Sequence, residues 1–479
     1  MAQLQRQLGL WASVSIVVGT VIGSSIFMKP ASMARDLGSP LLLLAVWVVA
    51  GIVSLFGGMI NAELGAMMPE TGGQYVYLRR AYGRFFAYLF GWAGFIVINT
   101  ASIAGIAFVF AGYAEYFITL PRATSAIEQS VCLSIPGIGR FYLLERIGIK
   151  GLAILLILLL TWVNSRSLKA SGRLQVLLSV LKVGALAFLA IAIFVSGKGA
   201  WKNLSTPSAT FDPSFWPALT GFIAATTGAL AAYDGWNNLG YMAGEVKNPQ
   251  RNLPLGLILG LTICIILYVL TTEAYLYILP VDVMKSSAIV ASDALDKVMG
   301  VAGAAFVAIL VMISTAGGTN GNIMPGARVS FAMSKEGNFF PFTRKVHDRY
   351  HTPANALWLQ ATWCCLLVLL GSFDMLMNMF VFITWIFYGF VAYAIIIFRQ
   401  RMPDAERPYR MKGYPYLPII FITFTALYVG LTLYNDIHDY RAGKVPVIYS
   451  VFGLVLTGIG APFYSYFRKA GLKKETIEP

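Results

Sequence analysis

The 479 residues are 57% apolar and 12% charged, carry a net charge of +14 and have a mean hydropathy of +0.69. A soluble domain carries about 25% charged residues, so the composition excludes a water-soluble fold and points to an integral membrane protein. The charge excess is no nucleic-acid surface, because the basic residues follow the loops between apolar runs.

A hydrocarbon core roughly 30 Å thick needs about 20 apolar residues per helix. Runs of that kind begin near residues 8, 40, 84, 149, 174, 214, 254, 298, 354, 375, 414 and 446. They predict an all-α polytopic membrane protein of twelve transmembrane helices, with loops too short for a separate soluble domain. Only Arg6 precedes the first run, which ends without an Ala-x-Ala-like site. It reads as a retained span, not a cleaved signal.

The first span is interrupted by Gly23-Ser24-Ser25, weak helix formers in the middle of an apolar run. Residues 66–83 follow the second span as a loop broken by Pro69, Gly72 and Gly73, with a basic, aromatic tail. Asn99 is a polar residue of the third span and a candidate cavity wall. The longest outer loop, 118–148, is rich in Pro and Gly and holds Cys132, either a free thiol or an intermolecular link. The other cysteines, Cys264, Cys364 and Cys365, fall within spans and read as small buried residues.

Lys182 lies deep in the fifth span. An intramembrane lysine costs at least about 2.5–3.5 kcal/mol, so it must face the bundle interior and find a partner. The candidates are carbonyls freed at the first break, or Asp234. Its role is either a fixed cation in place of a metal ion or a proton carrier. The sixth span is broken in turn, at Ala231-Ala-Tyr-Asp-Gly235. Asp234 there either caps the following half-helix or contacts substrate. Glu273 reads as interfacial, at the outer end of the seventh span, and Glu63 sits at the inner end of the second, within reach of basic loops. Asn320 and Trp385 in the eighth and tenth spans are further candidate cavity wall.

Alternating the spans from a cytoplasmic N-terminus puts 23 of the 36 Lys and Arg inside and 12 outside, with Lys182 in a span. This positive-inside asymmetry predicts both termini in the cytoplasm, in a protein of the plasma membrane. The two broken spans lie five apart, and an odd offset inverts the second block relative to the first. Paired interrupted helices in inverted repeats point to a transport site near the midplane. The expected units are a first five-helix repeat (8–196), an inverted second repeat (214–398) and two extra C-terminal helices (414–467).

Irregular backbone at membrane depth survives only inside protein or beside a watery cavity. The first break frees the N–H groups of Ser24, Ser25 and Ile26 at a positive helix end, which suits a carboxylate. The carbonyls of Val21 and Ile22, and those of residues 231–235, suit an ammonium. Together they would hold the zwitterionic head of an α-amino acid. Enzyme readings fail. The three histidines, His347, His351 and His438, fall in loops, the first two with no third metal ligand evident, and no HExxH, Walker A or GxGxxG unit occurs. Neither a cofactor nor a metal is expected.

Gly19-Thr-Val-Ile-Gly-Ser-Ser-Ile-Phe-Met-Lys-Pro30 resembles the first-helix signature of the L-type amino acid transporters, within the amino acid–polyamine–organocation superfamily. So do Ala62-Glu-Leu-Gly65, Thr71-Gly-Gly-Gln-Tyr-Val-Tyr-Leu78, Ala232-Tyr-Asp-Gly-Trp-Asn237, Glu245-Val-Lys-Asn-Pro-Gln-Arg-Asn-Leu-Pro254, the 328–340 segment and Arg407-Pro-Tyr-Arg410. The resemblance runs from about residue 8 to 420. It implies a five-plus-five inverted-repeat fold and sodium-independent transport of L-amino acids, often by exchange. It carries carboxylate binding onto Ser24, Ser25 and Ile26 beside Gly23, and amino-group binding onto the carbonyls of Ile22 and Ala231. The candidate substrate site also takes in Tyr233, Asp234, Gly235 and Asn320. Lys182 falls where relatives use a lysine in place of sodium for coupling. Three residues depart from the pattern: Ser25 replaces a glycine, Ala231 a bulky aromatic gate, and Asn238 a tyrosine. Cys132 does not establish the disulfide-linked accessory subunit of animal members. The partners expected are an amino acid and the lipid bilayer. The leading function is alternating-access exchange of neutral L-amino acids, against proton-coupled symport through Lys182 and, from another class, a channel or amino-acid sensor.

Overall fold

A computed structural model describes residues 6, 8–135, 139–166, 168–287, 289–350 and 352–475. Helix α1 (Leu10–Val21) stops at Ile22, whose backbone is extended, and α2 (Ser25–Leu37) restarts the span at an angle of 43°. Glycine and serine lose the most by staying helical there, and serine competes for backbone hydrogen bonds. Gly38, in the left-handed conformation, ends α2. Ser39 then accepts from the Leu42 N–H, with Pro40 behind it, to open α3 (Pro40–Met67).

The short α4 (Gln74–Tyr82) follows. The third span is α5 (Arg84–Ala93), a π turn (Gly94–Ile98) and α6 (Asn99–Ala114), and it is the most deeply buried of the spans. The loop 118–148 folds further than its turn residues suggest, into α7 (Ser125–Ser130) and an antiparallel hairpin of β1 (Cys132–Ile135) and β2 (Gly139–Tyr142). Its expected turn residues Pro136 and Gly137 lie outside the described residues. Buried Lys150, at the start of α8 (Ile147–Arg166), donates to the Tyr142, Leu143 and Leu369 carbonyls at 2.8, 3.1 and 2.8 Å. It therefore ties the hairpin to the last turn of the helix Ala354–Leu370.

Next come α9 (Leu168–Val195) and α10 (Phe215–Tyr233), which ends at extended Asp234. Gly235 has φ +113°, and a Cβ there would lie 3.0 Å from the Thr20 backbone, so both conformation and space require glycine. A four-residue α11 (Asn238–Tyr241) and then α12 (Pro249–Ile278) continue the chain. Outside them lie α13 (Val281–Ser286) and α14 (Val290–Met299), before the long α15 (Val301–Lys335). The remainder is α16 (Ala354–Leu370), α17 (Phe373–Arg401), α18 (Tyr416–Arg441), α19 (Tyr449–Gly458) and α20 (Gly460–Glu475).

Among the described residues, ten helical stretches are long and apolar enough to cross a membrane, and α1 with α2 passes jointly as an eleventh. The ninth expected run, beginning near residue 354, forms α16, apolar but 17 residues long. The described residues thus form a helical integral membrane protein with one small hairpin among them. The broken first span sits at its centre: α1 packs on α9, α12 and α15, and α2 on α10 and α13.

Candidate functional site

The two breaks meet directly. Thr20 Oγ1 donates to the Gly235 carbonyl at 3.0 Å, and Tyr268 Oη on α12 bridges the carbonyls of Val21 (2.9 Å) and Ala232 (3.1 Å). Between them lies a cavity of about 380 Å³, its open mouth included, lined by Thr20, Val21, Gly23, Ser24, Ser25, Ser102, Ile106, Ala231, Asp234, Gly235, Asn322, Met377 and Phe380.

Six of the expected site residues line it: Gly23, Ser24, Ser25, Ala231, Asp234 and Gly235. Ser24 and Ser25 head α2, where the first N–H groups of a helix have no intrahelical acceptor and the dipole favours an anion. Ile22 and Ile26 flank the same turn with their side chains fully buried. The Ile22 carbonyl is already engaged, since Lys182 Nζ donates to it at 2.9 Å and to the Gly19 carbonyl at 2.8 Å. Lys182 thus takes the carbonyl alternative, not Asp234. Because Val21 accepts from Tyr268, neither α1 carbonyl expected for an ammonium is unoccupied.

Asp234 does not cap the next half-helix. Its Oδ1 accepts from Tyr388 Oη of α17 at 2.7 Å, because Gly235 turns the chain before α11 begins. Tyr233, expected at the site, points the other way, into a ring cluster with Trp47 and Tyr268. Asn320 also faces away. It accepts from Asn164 Nδ2 at 2.8 Å and donates to Gln175 Oε1 at 3.0 Å. The cavity instead receives Asn322, two residues on, whose Oδ1 accepts from Asn238 Nδ2 at 3.1 Å. Asn238 therefore reaches the cavity through a second asparagine. Asn99 packs against Gly326, and it is Ser102 and Ile106, further along α6, that line the wall. Trp385 stacks on Phe421 within the α17–α18 aromatic cluster. Met377 and Phe380, at i and i+3 on α17, complete the apolar side and were not anticipated.

The end of the bundle that holds residue 8 is closed by buried charge. Arg328 Nε donates to Glu245 Oε1 at 2.9 Å, both side chains under 5% exposed. Beside them Leu8 pairs with Glu245 and Lys247 through backbone bonds of 3.0 and 2.8 Å. Glu63 meets the basic loops as expected. Arg399 donates to both its oxygens, at 3.0 and 2.7 Å, Arg407 lies 3.5 Å away, and the Met411 N–H adds a bond of 2.8 Å. Glu273 is half-buried near the end of α12, and Cys132 is exposed. His347 accepts from the Arg349 N–H, and His351 lies outside the described residues.

The amino acid permease family model matches residues 8–458. Similar proteins include the serine/threonine exchanger of Bacillus subtilis (strain 168), 30% identical over 90% of this chain and 92% of that one. The b(0,+)-type amino acid transporter 1 of Homo sapiens is 32% identical over 89% of this chain and 82% of its own. The Homo sapiens cystine/glutamate transporter is 29% identical over 97% and 86%. A match along nearly the whole length, with two broken helices meeting at a polar cavity, identifies the chain as a member of the amino acid permease family and, within it, of the L-type amino acid transporters.

Proposed function

We propose that this protein is a sodium-independent exchanger of neutral L-amino acids working by alternating access. The observation that carries the reading is Lys182, whose ammonium joins two carbonyls on one side of the first break while the cavity occupies the other. A fixed cation there does the work a bound metal ion would do for the loosened backbone. The substrate carboxylate docks on the N–H groups of Ser24, Ser25 and Ile26. Its ammonium faces the Ala231 carbonyl and the Asp234 carboxylate. Ser102, Ile106, Asn322, Met377 and Phe380 surround the side chain. The scaffold is twelve spans in a five-plus-five inverted repeat, with α16 as the ninth and both termini cytoplasmic in the plasma membrane.

The relatives' names fit exchange of amino acids, among them serine and threonine. A panel of radiolabelled amino acids offered to reconstituted vesicles preloaded with unlabelled ones tests the proposal. Exchange of neutral L-amino acids is expected, with D-isomers and amines lacking the carboxylate rejected. Ion currents far above carrier turnover, or no flux with any member, would refute it.

A further inference from the structure

A second polar chain runs beside the site, with its direction fixed by one backbone group. Asn164 Nδ2 donates both to the Leu160 carbonyl and to Asn320 Oδ1, each at 2.8 Å. A carbonyl can only accept, so Asn164 must present its nitrogen, Asn320 its oxygen, and the Asn320 nitrogen then donates to Gln175 Oε1 at 3.0 Å. The relay ends on Gln175 Nε2, which is buried and has no partner among the described residues.

That donor sits against α1. A Cβ built on Gly19 or on Gly321 would lie 2.8 Å from Nε2, so two glycines on facing helices leave the space it occupies. Gln175, Ser179 and Lys182 stand at i, i+4 and i+7, on one face of α9. Ser179 Oγ donates to the Gln175 carbonyl of its own helix at 2.8 Å and lies 3.2 Å from the Ser15 carbonyl of α1, while Lys182 donates to Gly19 and Ile22. All three side chains lie against α1, and among the described residues the Gln175 amide nitrogen has no acceptor. A buried donor left unmade is costly.

We propose that Gln175 is a positioning residue of the transport cycle: its spare N–H takes up a carbonyl of the last turn of α1 when α1 shifts against α9 and Lys182 releases Gly19. This rests on the alternating-access reading. The donor keeps the broken helix satisfied in the conformer where the ammonium no longer does. The Asn164–Asn320 relay keeps the nitrogen, not the oxygen, facing α1.

Two variants test it. Gln175→Met removes the amide at similar volume, and Gln175→Asn keeps an amide one methylene too short to reach α1. Each is followed by exchange kinetics in vesicles and by deuterium uptake of the same preparation. Turnover is expected to fall about tenfold with KM held within about twofold, and uptake to rise over residues 16–22. Extra uptake confined to α15, or wild-type turnover and uptake in both variants, would overturn the assignment. A wild-type protein that exchanges no amino acid would count against the exchanger reading instead, while the uptake pattern over 16–22 still decides the role of Gln175.

Discussion

Lys182 and Ile22 are 160 positions apart, yet the lysine ammonium donates to the Ile22 carbonyl at 2.9 Å, at the point where α1 ends. The same ammonium holds Gly19 one turn earlier. The side chain that would otherwise be the costliest in the membrane thus satisfies the backbone that would otherwise be the least satisfied. The turn of Gly23, Ser24 and Ser25, proposed to bind the substrate carboxylate, begins at the next residue.

Removing the ammonium should therefore cost transport more than folding. Lys182→Met leaves two buried carbonyls without this donor, a penalty of about 1–3 kcal/mol each, spread over a large helical core. Exchange is expected to fall at least tenfold, while size-exclusion profile and helical content stay at wild type. Undiminished exchange would show that the lysine is merely accommodated.

Ser25 lines the cavity where the substrate head is proposed to sit. Ser25→Gly should raise kcat/KM for bulky neutral amino acids relative to serine by about tenfold, the scale of one small group in a binding pocket. Competition between labelled serine and unlabelled leucine measures the ratio. An unchanged ratio would place the selectivity elsewhere, on Met377 and Phe380.

Tyr388 donates to Asp234 at 2.7 Å and packs against Trp236, the rings tilted by 37°. A hydrogen bond to a charged group contributes about 1.5–3 kcal/mol, so Tyr388→Phe should loosen the carboxylate and raise KM about tenfold with a smaller change in maximal rate. Equal losses in both parameters would mean that the tyrosine acts on the conformational step.

The Glu245–Arg328 pair should behave as a buried ion pair. Arg328→Met leaves the Glu245 charge buried alone, which costs about 3–5 kcal/mol, and the Tm in detergent should drop by several degrees. The double variant with Glu245→Leu should recover most of that loss. A double variant as unstable as the single one would show that packing around Arg328, not charge, is what was lost.

How far the site could be read from sequence depended on the kind of signal each residue carried. Gly23-Ser24-Ser25, Gly235 and Lys182 stand out because breakers and a lone charge conflict with an apolar span, and the structure gathers all of them at one place. Asn320 was a misleading choice for a geometric reason. Residues 320 and 322 are two apart on a helix of 3.6 residues per turn, so they point to nearly opposite faces, and nothing in Asn-Gly-Asn says which face meets the cavity. Met377, Phe380, Ser102 and Ile106 look like ordinary lining of apolar helices until the packing partner is known. Glu63 with Arg399 was foreseen only as an acid near basic loops, since 336 positions separate the two. Glu245 with Arg328, 83 apart, carried no local signal.

The central claim, that the Lys182 ammonium stands in for a metal ion in an exchanger, has a direct measurement. Uptake of a labelled neutral L-amino acid is followed into vesicles with or without internal amino acid, in sodium buffer and with all sodium replaced by choline. The account predicts uptake only into preloaded vesicles, at the same rate in both buffers. Uptake into empty vesicles, or a rate that collapses without sodium, would contradict it.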